Sequence, residues 1–219
     1  MNLSNRSKLA LYIPSKKALF VHVYKTGGQS IRHALLQSCG REAIEIHLSH
    51  STAEEAIEML YRGGMDVKHV FAFIREPYSW AVSQYNFIRK EPGHPSNAEV
   101  RSMDFCSFVI WLCDAVEKGR PWLSGKFCRQ SDFILRSGPP SLKNKRLVNH
   151  LYRFEDLAGG WRSMRQILGY ESNSPDELRI LNASTEKHDA VSLFHKCESL
   201  DYFNRVFNQD FIEGGYNRL

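Results

Sequence analysis

Ala18-Leu19-Phe20-Val21-His22-Val23-Tyr24-Lys25-Thr26-Gly27-Gly28-Gln29-Ser30-Ile31 decides how the rest of the chain is read. Ala18 to Tyr24 has the apolar, β-prone pattern of a buried strand. Lys25-Thr26-Gly27-Gly28 ends that run as a turn. The spacing then predicts a helix from about Ser30 to Ser38, with Ile31, Ala34, Leu35 and Ser38 on one face. A strand passing through a glycine turn into a helix presents backbone N–H groups at the positive end of the helix dipole, which suits an anion. Gly27 and Gly28 let the backbone approach an oxyanion closely. Lys25 adds a point charge, and Thr26, Gln29 and Ser30 add donors. The same residues also suit a plain strand-to-helix turn with a surface lysine. They do not form a Walker A loop, which places its Lys after the second Gly. Here Lys25 precedes both glycines, which disfavours a generic ATPase or GTPase.

Outward from this stretch, strand-length apolar runs alternate with helical segments, the α/β pattern. A short strand at Ala43–Ile46 precedes the polar run His47 to Ser51. Ser51 or Thr52 then caps a helix with Glu54 and Glu55 in its first turn. His69–Ile74 reads as a second strong strand, broken by Arg75-Glu76-Pro77, and Pro77 opens a helix to about Lys90. Arg75 sits at the carboxyl end of that strand, where open α/β sheets bind ligands. Ser83 follows roughly two helical turns later. An Arg fork with a hydroxyl suits a terminal phosphate, though a surface ion pair and a packing serine would read alike. Met103–Lys118 is an amphipathic helix and His150–Phe154 a third strand. Trp161–Leu168 reads as a helix, and the tail from about Asp189 to Phe211 as helical.

The length of 219 residues favours one domain, and no linker or repeat divides it. With 42% hydrophobic and 24% charged residues, disorder and fibrous repeats are excluded. A net charge of +5 suits an anionic ligand but is too small to call for nucleic acid. No window approaches the roughly 20 apolar residues of a membrane span. Five widely spaced cysteines without a C-x-x-C pair imply reduced thiols in a cytosol-like compartment.

Further segments join the two constellations: Gln130-Ser131-Asp132-Phe133-Ile134, Tyr152-Arg153-Phe154-Glu155-Asp156-Leu157, Leu181-Asn182-Ala183-Ser184-Thr185 and Asp210-Phe211-Ile212-Glu213-Gly214-Gly215-Tyr216. In this order, from about residue 18 to 216, the chain resembles the sulfotransferases that use 3′-phosphoadenosine 5′-phosphosulfate. The resemblance is strongest to the branch of carbohydrate (Golgi-type) enzymes and their soluble bacterial relatives. It implies an α/β, P-loop-like single domain with a central, mainly parallel sheet flanked by helices, residues 1–17 being an N-terminal extension. Lys25, Thr26, Gly27, Gly28, Gln29 and Ser30 would hold the 5′-phosphosulfate, and Arg75 and Ser83 the 3′-phosphate. Two departures matter. The Arg-Lys-Gly loop of the steroid and phenol enzymes is missing, so a second 3′-phosphate contact falls to Lys143, Lys145 and Arg146 by charge, or to Asn182, Ser184 and Thr185 by position. Glu76 also stands where relatives often have Asn, and an acid there must point away from a phosphate.

The implied chemistry is in-line sulfuryl transfer to an acceptor hydroxyl, driven by positioning and charge stabilisation. Lys25 would neutralise the leaving phosphate, and no metal is called for. His50 is the expected general base and His47 the second choice, with Glu54 or Glu55 as carboxylate alternatives. His22 and His69 read as structural. Trp80, Tyr85, Trp111 and Trp122 could flank an adenine, although helical spacing reads as core. A carbohydrate hydroxyl is the expected acceptor, selected by loops at 91–101 and 120–146. The missing membrane anchor implies a soluble, cytoplasmic protein, with no nucleic-acid or membrane partner. The rivals are a nucleotide-binding module without activity and a small-molecule kinase.

Overall fold

Leu9–Ile13 forms the first strand, β1, and a single 3-10 turn at Pro14–Lys16 returns the chain into β2, Ala18–Phe20. Lys17 closes this hairpin in the left-handed conformation, φ 47°. The strands β3 (Ile44–Ser49), β4 (His69–Ile74) and β5 (His150–Arg153) complete a five-stranded sheet in the order β3-β1-β2-β4-β5. The computed structural model describes residues 9–49, 51–122, 125–126, 128–137, 145–170, 178–181 and 189–219. The chain divides into two compact units, Met1–Ile74 with Asp132–Asn182, and Arg75–Ser131 with Ala183–Leu219.

The sheet belongs to the first unit and is mixed, which corrects the expectation of a mainly parallel one. β2, β4 and β5 run parallel, whereas β1 is antiparallel to both β2 and β3. The physical reason is the tight turn: a four-residue connection, Pro14 to Lys17, joins only antiparallel neighbours, while a parallel pair needs a long crossover. The stretch read as an extension therefore supplies an interior strand.

The long helices of the first unit are α1 (Gly28–Cys39), α2 (Ala53–Arg62) and, past the second unit's α3 (Pro77–Lys90) and α4 (Phe105–Glu117), α5 (Leu157–Leu168). Leu11, Ile13, Phe20, Phe71 and Phe73 on one face of the sheet pack with Ile31 and Leu35 of α1 and with Trp161, Met164 and Leu168 of α5. Burying each such side chain contributes about 1.5–3 kcal/mol. Thr52 caps α2 in a capping box with Glu55.

The second unit is built around aromatic packing. Tyr78 of α3 lies against Phe194, Phe203 and Phe211, and its hydroxyl donates to Asn204 Oδ1 at 2.5 Å. Trp80 is fully buried against Phe207, and Trp111 of α4 stacks on Phe108, so both are core residues. Cys106 and Cys197 form a disulfide across 91 residues of sequence. That corrects the expectation of reduced thiols, because the pairing is tertiary and leaves no local spacing signal. Closing such a loop stabilises by roughly 4–5 kcal/mol on chain entropy. Burial pushes the free Cys113 thiol up to about 12, which makes it unreactive. Among the described residues no helix is long and apolar enough to cross a membrane.

Candidate functional site

Beyond Phe20 the chain stays extended, and Val21 N–H donates to Phe71 O at 2.8 Å. It then turns sharply. Lys25 takes a left-handed backbone, φ 65°, and Thr26 Oγ1 donates to Val23 O at 2.8 Å. Gly27, at φ 77°, is the N-cap of α1. Gly27 offers no side chain to cap this helix, and no acid stands in its first turn. The first turn of α1 itself therefore brings no carboxylate to the positive end of its dipole.

Both glycines are required by space. A Cβ on Gly28 would meet His22 Cδ2 at 2.2 Å, and one on Gly27 would meet Leu157 Cδ2 at 2.9 Å and Phe154 Cδ2 at 3.1 Å. The buried His22 ring fills the volume a side chain would need, a structural role. Thr26 and Ser30 are both buried, and Ser30 Oγ accepts the Leu181 N–H at 2.9 Å. Their hydroxyls staple the turn and anchor the chain just before Asn182. Lys25 and Gln29 are half-buried. The structure thus gathers Lys25 to Ser30 on one turn but divides their work.

Arg75 opens the second unit directly after β4. The Gln130 side chain holds its backbone at two points, accepting from Arg75 N–H and donating to Arg75 O, both at 2.8 Å. Gln130 N–H and Ser131 N–H donate in turn to the fully buried Asp210 carboxylate, at 3.0 and 2.8 Å. Arg75 Nε donates to Ser79 Oγ at 3.0 Å. Ser83 is half-buried one turn further along the same helix face. Ser79 thus brings a hydroxyl onto Arg75, a contact that sequence reasoning missed although it stands four residues on. Gln130 and Asp210 lie in segments the resemblance marks, without any role being legible there.

Glu76 caps α3, its carboxylate accepting from Tyr78 N–H at 3.0 Å and Ser79 N–H at 2.7 Å. The acid is turned onto its own helix. The two helix starts therefore differ: α3 carries its own anion and α1 carries none.

The carboxylate bases weighed from sequence are engaged elsewhere. Glu54 accepts from the Ser137 hydroxyl and N–H and pairs with Arg136 at 3.3 Å. The Ser137 hydrogen bond leads in holding its carboxyl below the usual range, which weakens it as a base. Glu55 serves the α2 capping box. His47 lies in β3, with only its backbone described. His50, Lys143, Asn182, Ser184 and Thr185 lie outside the described residues. Lys145 and Arg146 are exposed, and His69 Nδ1 faces His150 Nε2 at 3.0 Å. Among the described residues no three His, Cys, Asp or Glu side chains converge as a metal set.

Compared with protein-family models, curated proteins and solved structures, the chain matches none.

Proposed function

We propose that the protein transfers a sulfuryl group from 3′-phosphoadenosine 5′-phosphosulfate to an acceptor hydroxyl, with a carbohydrate as the first acceptor class to try. The observation that carries this reading is the Lys25 turn. A lysine kept in a left-handed conformation costs on the order of 1 kcal/mol that glycine would avoid. It stands beside two glycines and ahead of an uncapped, acid-free helix start. Such a turn suits a charged oxyanion better than it suits stability.

β2 and β4 are parallel neighbours, and the chain leaves their carboxyl ends towards Lys25 and Arg75. That connectivity supports a P-loop-like use of the sheet, with Lys25 and the turn amides on the phosphosulfate and Arg75, Ser79 and Ser83 on the 3′-phosphate. Lys25 would offset charge developing on the leaving phosphate while the acceptor oxygen attacks sulfur in line. His50, with His47 as the alternative, would take the acceptor proton, since Glu54 and Glu55 are committed to structure. The Cys106–Cys197 bond counts against the cytoplasmic setting expected from the cysteine count, because such bonds persist in oxidising compartments.

The test is turnover. Incubation with the phosphosulfate and a panel of hydroxyl acceptors should release adenosine 3′,5′-bisphosphate in step with sulfated product, read by chromatography. Nucleotide binding without release would leave a binding module. Magnesium-dependent ATP consumption with phosphorylated product would make the protein a kinase.

A further inference from the structure

The first unit carries a cleft of about 590 Å³ at the opposite end of β2 and β4 from the Lys25 turn. Among the described residues its charged lining is entirely cationic: Lys16 and Lys17 from the β1–β2 turn, and Lys68 beside His69 at the start of β4. The end of α5, through Gly169, forms the other wall. We propose that this cleft is a second anion site, taking a small ligand that bears two or more phosphate or sulfate groups.

Backbone geometry fixes the lysines before any ligand arrives. Lys17 O accepts both Lys68 N–H, at 2.7 Å, and His69 N–H, at 3.1 Å, which ties the hairpin turn to the start of β4. Lys17 holds its left-handed φ of 47° in this staple. The Lys16 ammonium lies 5.2 Å from the centre of the Tyr170 ring, just past the end of α5. Less ordering is then left for the ligand to impose.

Among the described residues, two carboxylates stand beside the cleft without lining it. Asp66 pairs with Lys17 Nζ at 2.8 Å, and Glu42 accepts the Ser15 N–H at 2.7 Å. Lys68 is exposed and has no counter-ion among the described residues. Lysine ammonium groups act as compact point charges for phosphate or sulfate oxygens. Lys16 and Lys68 on separate stems, with the Asp66-paired Lys17 between them, match several anionic groups better than one cation would. The volume suits a small organic polyanion. Because the lining shares no residue with Lys25–Ser30, this site stands whether or not the transferase reading does.

Calorimetric titration of the full chain with inorganic triphosphate tests it. We expect binding that weakens with salt, at least tenfold weaker in the Lys16→Gln/Lys68→Gln double variant and retained in Lys25→Ala. An isotherm unchanged by the double variant, or lost in Lys25→Ala alone, overturns the site. A parallel titration with sucrose octasulfate separates sulfate from phosphate preference. Amine acylation of the wild-type chain, read by mass spectrometry, removes any dependence on how the variant folds. Triphosphate should slow labelling of Lys16, Lys17 and Lys68 several-fold, and equal labelling with and without it would refute the assignment.

Discussion

Lys17 and Lys25 flank the same strand, β2, and both hold the left-handed backbone that most residues avoid, yet the turns around them are built differently. Lys17 is exposed, its ammonium is paired with Asp66, and its carbonyl anchors the start of β4. There the local contacts offset the conformational cost. The Lys25 turn is instead pressed into the core, with His22, Phe154 and Leu157 occupying the space beside Gly27 and Gly28. One turn has its backbone exposed and its charge neutralised nearby. The other has a crowded backbone, with Lys25 as the one cation between Tyr24 and Ser30. The difference separates an exposed turn from one crowded by the core, and on the proposed function the crowded turn is the one that would face the phosphosulfate.

The largest expected effect attacks the crowding. Gly28→Ala puts a methyl carbon 2.2 Å from a buried ring that already stacks on Phe20. Overpacking of this kind costs about 2–3 kcal/mol. Gly169→Ala, beside the Lys17 turn, meets only Lys16 Nζ at 3.8 Å and suffers the left-handed strain alone, about 1 kcal/mol. Urea unfolding of the two variants should rank them in that order. Equal losses would mean that packing does not distinguish the two ends of β2.

Next comes the lysine itself. Lys25→Gly removes the strain at φ 65° and should raise stability by about 0.5–1 kcal/mol, net of the extra chain entropy of glycine. The same change should weaken binding of adenosine 3′,5′-bisphosphate by roughly 10- to 100-fold, the worth of a charge-assisted contact. Lys17→Gly relieves similar strain but gives up the Asp66 pair, an exposed contact worth about 0–1 kcal/mol, so its stability should hardly move. Thermal melts with and without nucleotide read both quantities. A Lys25→Gly protein that is no more stable, and binds as before, would show that the lysine is there by accident.

What the sequence makes legible follows the range of the forces involved. β4 and α3 are plain in it because an unbroken apolar run, His69–Ile74, and a proline at the first helical position are local signals. The Lys25 turn is legible for the same reason. β1 is not, since its five residues gain meaning only by pairing Tyr12 with Leu19 on one side and with Ile44 on the other. Without β1 a mixed sheet looks parallel. The Cys106–Cys197 bond and the Gln130–Arg75 grip are tertiary in the same way, the latter spanning 55 residues of sequence. Ser79 was within reach, because a hydroxyl four residues past an arginine lies on the face that arginine can touch.

The smallest effect belongs to the Lys17 end of β2 and sharpens the contrast through pH. His69, whose N–H holds Lys17 O, shares a 3.0 Å contact with His150 on the neighbouring strand, and His150 stacks on Phe71. Burial, then Lys68, lowers the pKa of His69, while burial, then His69, lowers that of His150. With folded values below the ordinary 6.5, the unfolded chain binds more protons in the interval between them. This contribution is therefore complete above about pH 6.5 and is lost as the pH falls through that interval. Urea midpoints between pH 7.5 and 5.5 should decline for the wild type and decline less for His69→Phe/His150→Phe. If both lose stability in parallel, the paired rings carry none of the slope. The Lys17 end of the sheet would then have no titration of its own, and only its exposed lysines would set it apart from the Lys25 turn.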